Sequence, residues 1–337
     1  MTYLIKSAFP AGHHPRKILS ALLLALLLTA CSAAEPEERE YALGMLIGKD
    51  GISIAAAELS GESEGRPGCV FYDGSGETLA QAVSSVSNDT GGRLYMGQLM
   101  LCVIEKDALD RKTLSELTDL FCTDDDLSRG AVIAAADDIQ ALKKAEHGKE
   151  DIISYMRKYS KSSALTGKGA VLDCDSLIHT LISTDGSALI PFMECSDNKL
   201  RINGAVAVAD WQYAKNVDAE TAEAALWLIH GRKDSLVINS GGNVIQFDKV
   251  SISKKINNGI EYNIKTRARL LQSSSETDTA KAERELAEKI LAAADILHNC
   301  GCDYSEASAF YRLKTGTEQP AAEIPQSIVL KTAWKGI

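Results

Sequence analysis

No apolar run in this chain is long enough to cross a bilayer as a helix. The longest, residues 18–30, is short and is interrupted by Ser20 and Thr29, whereas a spanning helix needs about 20 residues. The catalytic signatures G-x-S-x-G and H-E-x-x-H are missing, as is the dinucleotide fingerprint, and T166-G-K-G169 lacks the spacing of a phosphate-binding loop. These absences exclude the common hydrolase, zinc-protease and nucleotide-fold readings. A cationic surplus is also missing: 36 Lys and Arg stand against 46 Asp and Glu. A surface of that sign repels nucleic acid and anionic headgroups. Finally, the cysteines at 69, 102, 122, 174, 195, 300 and 302 have no framework spacing, so no disulfide scaffold is implied. Cys102, inside LMLCVIE, reads as a small buried hydrophobe.

What is present begins at the N-terminus. Arg16 and Lys17 precede the apolar run, and L28-T-A-C31 closes it. This is the layout of a secretory signal whose cleavage site is similar to a bacterial lipobox. Small residues before Cys31 let a signal peptidase reach the bond, and the thiol accepts a diacylglyceryl group. Residues 1–30 are therefore expected to be a lipoprotein signal peptide, Cys31 the lipidation site, and residues 31–40 an acidic tether. Two acyl chains hold a protein stably without a spanning segment, at about 0.8 kcal/mol per buried methylene. Removal of residues 1–30 takes away three basic residues and no acid, leaving a net charge of −13 over 307 residues. A chain of that length exceeds the usual single core.

Beyond the tether, helical and strand patterns alternate. Y41-A-L-G-M-L-I-G-K-D-G-I-S-I-A-A-A-E-L59 predicts a hairpin turning at G48-K-D-G51. A short strand follows at CVFYDGSGE, and Leu79, Ala82, Val83 and Val86 mark a helix capped by Thr78 or Ser75. R93-L-Y-M-G-Q-L-M-L-C-V-I-E105 reads as one buried strand, and Leu114, Leu117, Leu120 and Phe121 as a helical stripe. A strand at 131–138 and helices at 139–142, 151–159 and 176–186 complete this half, the last with Leu177, Ile178, Leu181 and Ile182 on one stripe. From Val250 to Leu270 apolar and polar residues alternate around N257-N-G259, a hairpin signal of the type I′ kind. One face is expected to carry Val250, Ile252, Ile256, Ile260, Tyr262, Ile264, Ala268 and Leu270. A helix from about 279 to 299, with Leu286, Ile290, Leu291, Ala294 and Leu297, is expected to cover that face, and SIVLKTAWKGI to close the sheet. The fold class is α/β (α+β), multi-domain, with mixed and antiparallel sheets covered by helices. The expected divisions are an N-terminal α/β domain at 41–160, a middle domain at 161–235 and a C-terminal domain at 236–337.

Some fragments carry the residue types of chemistry. S251-I-S-K254, S196-D-N198 and K314-T-G316 match the three elements of serine acyl-transferases, but the order is wrong and Ser251 falls within a strand. H298-N-C300-G-C302-D303 gathers soft ligands, with too few at closed-site spacing, and reads as a helix end. His147 and His230 are isolated, and His179 reads as a core-edge residue. The acidic pairs at D124-D-D126 and D137-D138 read as loops or caps rather than a calcium ladder. Gly204, Trp227 and Gly231 have structural readings: a turn glycine, a core aromatic and an element end. No catalytic residue, cofactor or metal is expected.

Taken in order, L28-T-A-C31, R39-E-Y-A-L-G-M-L-I-G-K-D50, E77-T-L-A-Q-A82, R93-L-Y-M-G-Q-L99, residues 189–208 and A224-A-L-W-L-I-H-G231 resemble the C-subunit lipoproteins of bacterial spore germinant receptors, Ger(x)C. The family's arginine-and-glutamate stretch is matched only loosely, by L120-F-C-T-D-D-D-L127, and the C-terminal third is shorter than usual. The resemblance implies three small α/β domains and no catalytic activity. It further implies anchoring through Cys31 to the outer face of the spore inner membrane. Partners there would be a receptor A subunit and a transporter-like B subunit, in nutrient-triggered germination. Whether the chain meets the nutrient itself is left open. Two other readings compete: a solute-binding lipoprotein of a transporter, and a serine-type envelope hydrolase.

Overall fold

The structure is a computed structural model that describes residues 39–57, 69–90, 93–145, 151–166, 171–197, 199–229, 231, 234–273 and 278–335. Apart from Arg39, the described residues and both sheets belong to one compact unit, Glu40–Ile337. Strand β1 (Arg39–Gly48) turns through Lys49 and Asp50 into antiparallel β2 (Gly51–Ala57), with Gly48 opposite Gly51, and β3 (Cys69–Gly74) pairs with β2. Gly51 is required there, because a Cβ would sit 2.5 Å from the Gly74 carbonyl oxygen. Helix α1 (Leu79–Asp89) starts where the Thr78 hydroxyl accepts the Gln81 N–H at 3.2 Å, and it buries Leu79, Ala82 and Val86.

The single strand expected over 93–105 is two. β4 (Arg93–Tyr95) pairs with β1. After a turn in which the Leu99 N–H donates to the Met96 carbonyl, β5 (Leu101–Glu105) lies parallel to β1. The break falls at Gly97, where the Tyr95 hydroxyl would be 2.6 Å from an added Cβ. Helix α2 (Arg111–Thr123), capped by Asp110, leads to β6 (Val132–Ala136), parallel to β5. Then come α3 (Ile139–Lys144), α4 (Ile152–Thr166), β7 (Leu172–Asp173) and α5 (Cys174–Ser183). The meander β8 (Ala188–Ser196), β9 (Lys199–Ala209) and β10 (Gln212–Val217) ends this half.

These strands make one sheet in the order β10-β9-β8-β6-β5-β1-β2-β3, with β4 on β1 and β7 on β6. Its centre, β1, β5, β6 and β8, is parallel. Helices α1, α2 and α5 pack on one face through Leu79, Leu114, Phe121 and Leu177, and α3 and α4 on the other through Leu142, Ile152 and Met156. Burial on both faces explains why LCVI and VIAAA are unbroken apolar runs, while the outer hairpins alternate. The expected separation of a 41–160 domain from a 161–235 domain does not appear as a break in this sheet, because β6 and β8 pair directly through Ala135–Phe192 and Ala136–Met193.

A second sheet follows α6 (Ala219–Ala225) and a single 3-10 turn at Leu226–Leu228. Strands β11 (Ser235–Ser240), β12 (Asn243–Ile256) and β13 (Ile260–Gln272) run antiparallel. Helices α7 (Thr279–Asn299) and α8 (Ala307–Thr315) precede β14 (Gln326–Lys335), which returns parallel to β13. Leu286, Ile290, Ala294 and Leu297 of α7 pack with Phe247, Tyr262, Ile264 and Ala268 of the sheet, as expected, joined by Ala282, whereas Leu291 is only half-buried and outside this cluster. Each fully buried Leu or Ile among them contributes about 1.5–3 kcal/mol.

Three details depart from the sequence pattern. A β-bulge between Lys249 and Ser251 shifts the phase of β12, so Val250 is 45% exposed while Lys249 is buried. The β12–β13 turn is a three-residue loop, with positive φ at Asn258 and Gly259, rather than a two-residue type I′ turn. On α5 the stripe stops at Leu181, leaving Ile182 61% exposed.

Candidate functional site at the end of the long helix

A dense polar cluster lies where α7 ends against the second sheet. His298, in the last turn, is nearly fully buried. The Gln326 side-chain NH₂ lies 2.8 Å from its Nδ1 and donates to the Ala321 carbonyl at 3.3 Å. That carbonyl fixes the amide orientation, so Nδ1 accepts and the ring proton sits on Nε2, 3.3 Å from the Ser305 hydroxyl. Tyr262 OH is 3.4 Å from the same hydroxyl, and the Lys254 ammonium donates to the Ser305 carbonyl. Burial pushes His298 down to about 4, keeping the ring neutral at neutral pH. It also lowers Lys254 and raises Asp303. The Asp303 carboxylate accepts the N–H groups of Ala307 and Ser308, at 2.7 and 2.8 Å, and so starts α8.

Ser305, His298 and Asp303 have the residue types of a nucleophile triad without its geometry. Nε2 donates to Ser305 rather than accepting from it, and Asp303 approaches that same nitrogen at 3.9 Å while Gln326 occupies Nδ1. The arrangement ties the α7 terminus to β13, β14 and α8. Beside it a cleft of about 560 Å³ is lined by Asp175, Ser176 and His179 of α5 and by Lys254, Ser305 and Glu306. A second cleft, about 570 Å³, opens at the β1–β2 turn and carries Asp50, Asp73, Asp89 and Glu105.

A buried ion pair holds residues 226–229. Lys249 Nζ sits 2.8 Å from Asp234 Oδ2 and donates to the carbonyls of Leu226 and Ile229, at 2.9 and 3.0 Å. The 3-10 turn that buries Trp227 is thus pinned to β12. Sequence reasoning misses Lys249 because strict alternation from Val250 onward takes no account of the bulge.

The other candidate residues do not converge. Ser251 is exposed on the outer face of β12, whereas Lys254 reaches inward to Ser305. Ser196 ends β8, and Lys314 is in the last turn of α8. Cys300 and Cys302 donate their S–H groups to the Leu297 and Ala188 carbonyls. Among the described residues no group of three or more His, Cys, Asp or Glu is placed to hold a metal ion. His179 is exposed and lines the cleft rather than the core edge. Asp138 caps α3, and Asp124 accepts the Asp126 N–H in the loop after α2. Gly204 lies within β9 rather than in a turn, at φ 81°, with the Val217 carbonyl oxygen 2.0 Å from where a Cβ would be. Gly231 has φ 78°. Cys31, His147, Asn198 and His230 lie outside the described residues.

The family profile described as the spore germination protein N-terminal domain matches residues 32–195. No curated protein matches the chain. A solved structure titled "Crystal Structure of the GerBC protein" is similar at 14% identity and TM-score 0.49, covering 85% of this chain and 93% of that one. The matched stretch takes in the first sheet from β1 through β8 with α1 to α5. Residues 32–195 thus match the N-terminal domain of GerAC-like spore germination proteins, and the likeness to that family rests on this domain.

Proposed function

We propose that this chain is the lipid-anchored, non-catalytic C subunit of a spore germinant receptor, acting in nutrient-triggered germination. The observation that carries the reading is the coincidence of a spore germination domain beginning at residue 32 with a lipobox-like L28-T-A-C31 immediately before it. A diacylglyceryl thioether on Cys31 would hold the body on the outer face of the spore inner membrane, where receptor A and B subunits are its partners. The match to the spore germination N-terminal domain supports the receptor assignment. The geometry of the α7 terminus, in which His298 donates to Ser305, supports a structural network there rather than a hydrolase. Among the described residues no helix is long and apolar enough to span a membrane.

The test is replacement of Cys31 by Ala in the sporulating host. The reading expects loss of the protein from the spore membrane fraction and loss of the germination response to the cognate nutrient. Full retention with normal germination would remove it.

A further inference from the structure

The net charge of this chain is negative, but its distribution is uneven. Among the described residues a helix covers one face of the second sheet: α7 packs on the side of Phe247, Tyr262 and Ile264. The opposite face of β12, β13 and β14 presents Lys255, Lys265, Arg267, Arg269, Lys331 and Lys335, all exposed. Register places these residues in rows: Lys265 stands beside Lys331, and Arg269 beside Lys335. Neighbouring strands lie about 4.8 Å apart, and like charges facing each other across a pair of strands are destabilising. Folding alone gains nothing from such rows.

Among the described residues the carboxylates on this face are Asp248 and Glu261, and both are engaged. Asp248 accepts from the Gln246 amide at 2.9 Å, and Glu261 pairs with Lys255 at 2.9 Å. Among the described residues Lys265, Arg267, Lys331 and Lys335 make no ion pair. Exposed Val329 and Leu271, at 38% and 50%, lie among them.

We infer that this face docks on the anionic phospholipid headgroups of the membrane that carries the protein. The inference rests on the membrane reading above. A flat array of cations interleaved with aliphatic side chains matches a surface of phosphates over hydrocarbon. The acidic remainder does not prevent contact, because charges farther away than about 8 Å are screened at physiological salt. With the sheet lying on the bilayer, α7 faces away from it, open to protein partners. The edge of β14 sits at the headgroup level.

The test uses residues 31–337 with Cys31→Ser, which keeps every described element and removes the acyl chains. Sedimentation with phosphatidylcholine vesicles is compared with sedimentation in which about a third of the lipid is phosphatidylglycerol. The docking assignment expects binding to the anionic vesicles alone and weakening as salt is raised. It also expects a loss of about tenfold or more in the K265S/R267S/K331S variant, whose unchanged thermal midpoint shows that it is folded. Equal binding to both vesicle types, no binding, or binding that the variant retains would overturn it. Salt-sensitive capture by polyglutamate without vesicle binding would assign the face to an acidic polypeptide and overturn the lipid assignment. None of these outcomes depends on lipidation of Cys31, so failure here is distinct from failure of the anchor.

Discussion

Lys249 and Asp234 form an ion pair at 2.8 Å with both side chains almost fully buried, and the same ammonium caps the carbonyls of Leu226 and Ile229. It ties β12 to the turn that carries Trp227. Breaking such a pair by removing one partner strands the other charge and costs about 3–5 kcal/mol. Lys249→Met is expected to lower unfolding stability by that order. The double variant Lys249→Met/Asp234→Asn should recover part of the loss. Urea denaturation of the three proteins checks this, and a single variant within about 0.5 kcal/mol of wild type would contradict it.

The buried His298 makes stability pH-dependent. Its folded value, about 4, lies below its ordinary value of 6.5, so the unfolded state binds the proton first. The contribution is complete above pH 6.5 and is lost as pH falls toward 4, by up to about 3 kcal/mol. Asp303, raised by burial, has the opposite slope, and Lys254, lowered by burial, acts at higher pH. The informative quantity is therefore a difference: His298→Asn should flatten the fall in stability between pH 6.5 and 4 relative to wild type. Parallel profiles would refute the assignment.

At Gly259 the left-handed backbone (φ 133°) brings the Pro325 carbonyl oxygen 2.1 Å from the position of a Cβ, and the Ile260 N–H donates to that carbonyl at 2.8 Å. This contact seats the start of β14. Gly259→Ala should cost about 2 kcal/mol or more through strain and displacement. Increased amide exchange along β14, read by mass spectrometry, would localise the effect, and unchanged exchange there would speak against it.

Much of this fold is legible in the sequence. The stripes of α1, α2 and α7, the Asn257–Gly259 hairpin and the closing strand follow from periodicity and turn chemistry alone. What escapes is set by long-range pairing. The β6–β8 contact that carries one sheet across residue 160 joins segments more than 50 residues apart, and no local pattern encodes it. The bulge at Lys249 is equally silent, because a lysine in an alternating strand reads as an outward residue until its carbonyl partners are seen. Of the candidate site, the cysteines and His298 are visible as a helix end. Ser305, Tyr262 and Gln326 are not, since each lies on a different element.

The opposite orientation of Ser251 and Lys254 on β12 yields a negative prediction. Their side chains leave β12 on opposite faces, so Lys254 cannot take the Ser251 proton. A fluorescent β-lactam should give no adduct at Ser251, and labelling abolished by Ser251→Ala would revive the acyl-serine reading.

The most direct measurement is intact mass spectrometry of the protein extracted from spore inner membranes. The receptor-lipoprotein account predicts a polypeptide beginning at Cys31 with a diacylglyceryl thioether on its sulfur. A chain that starts elsewhere, or a Cys31 thiol without lipid, would contradict it.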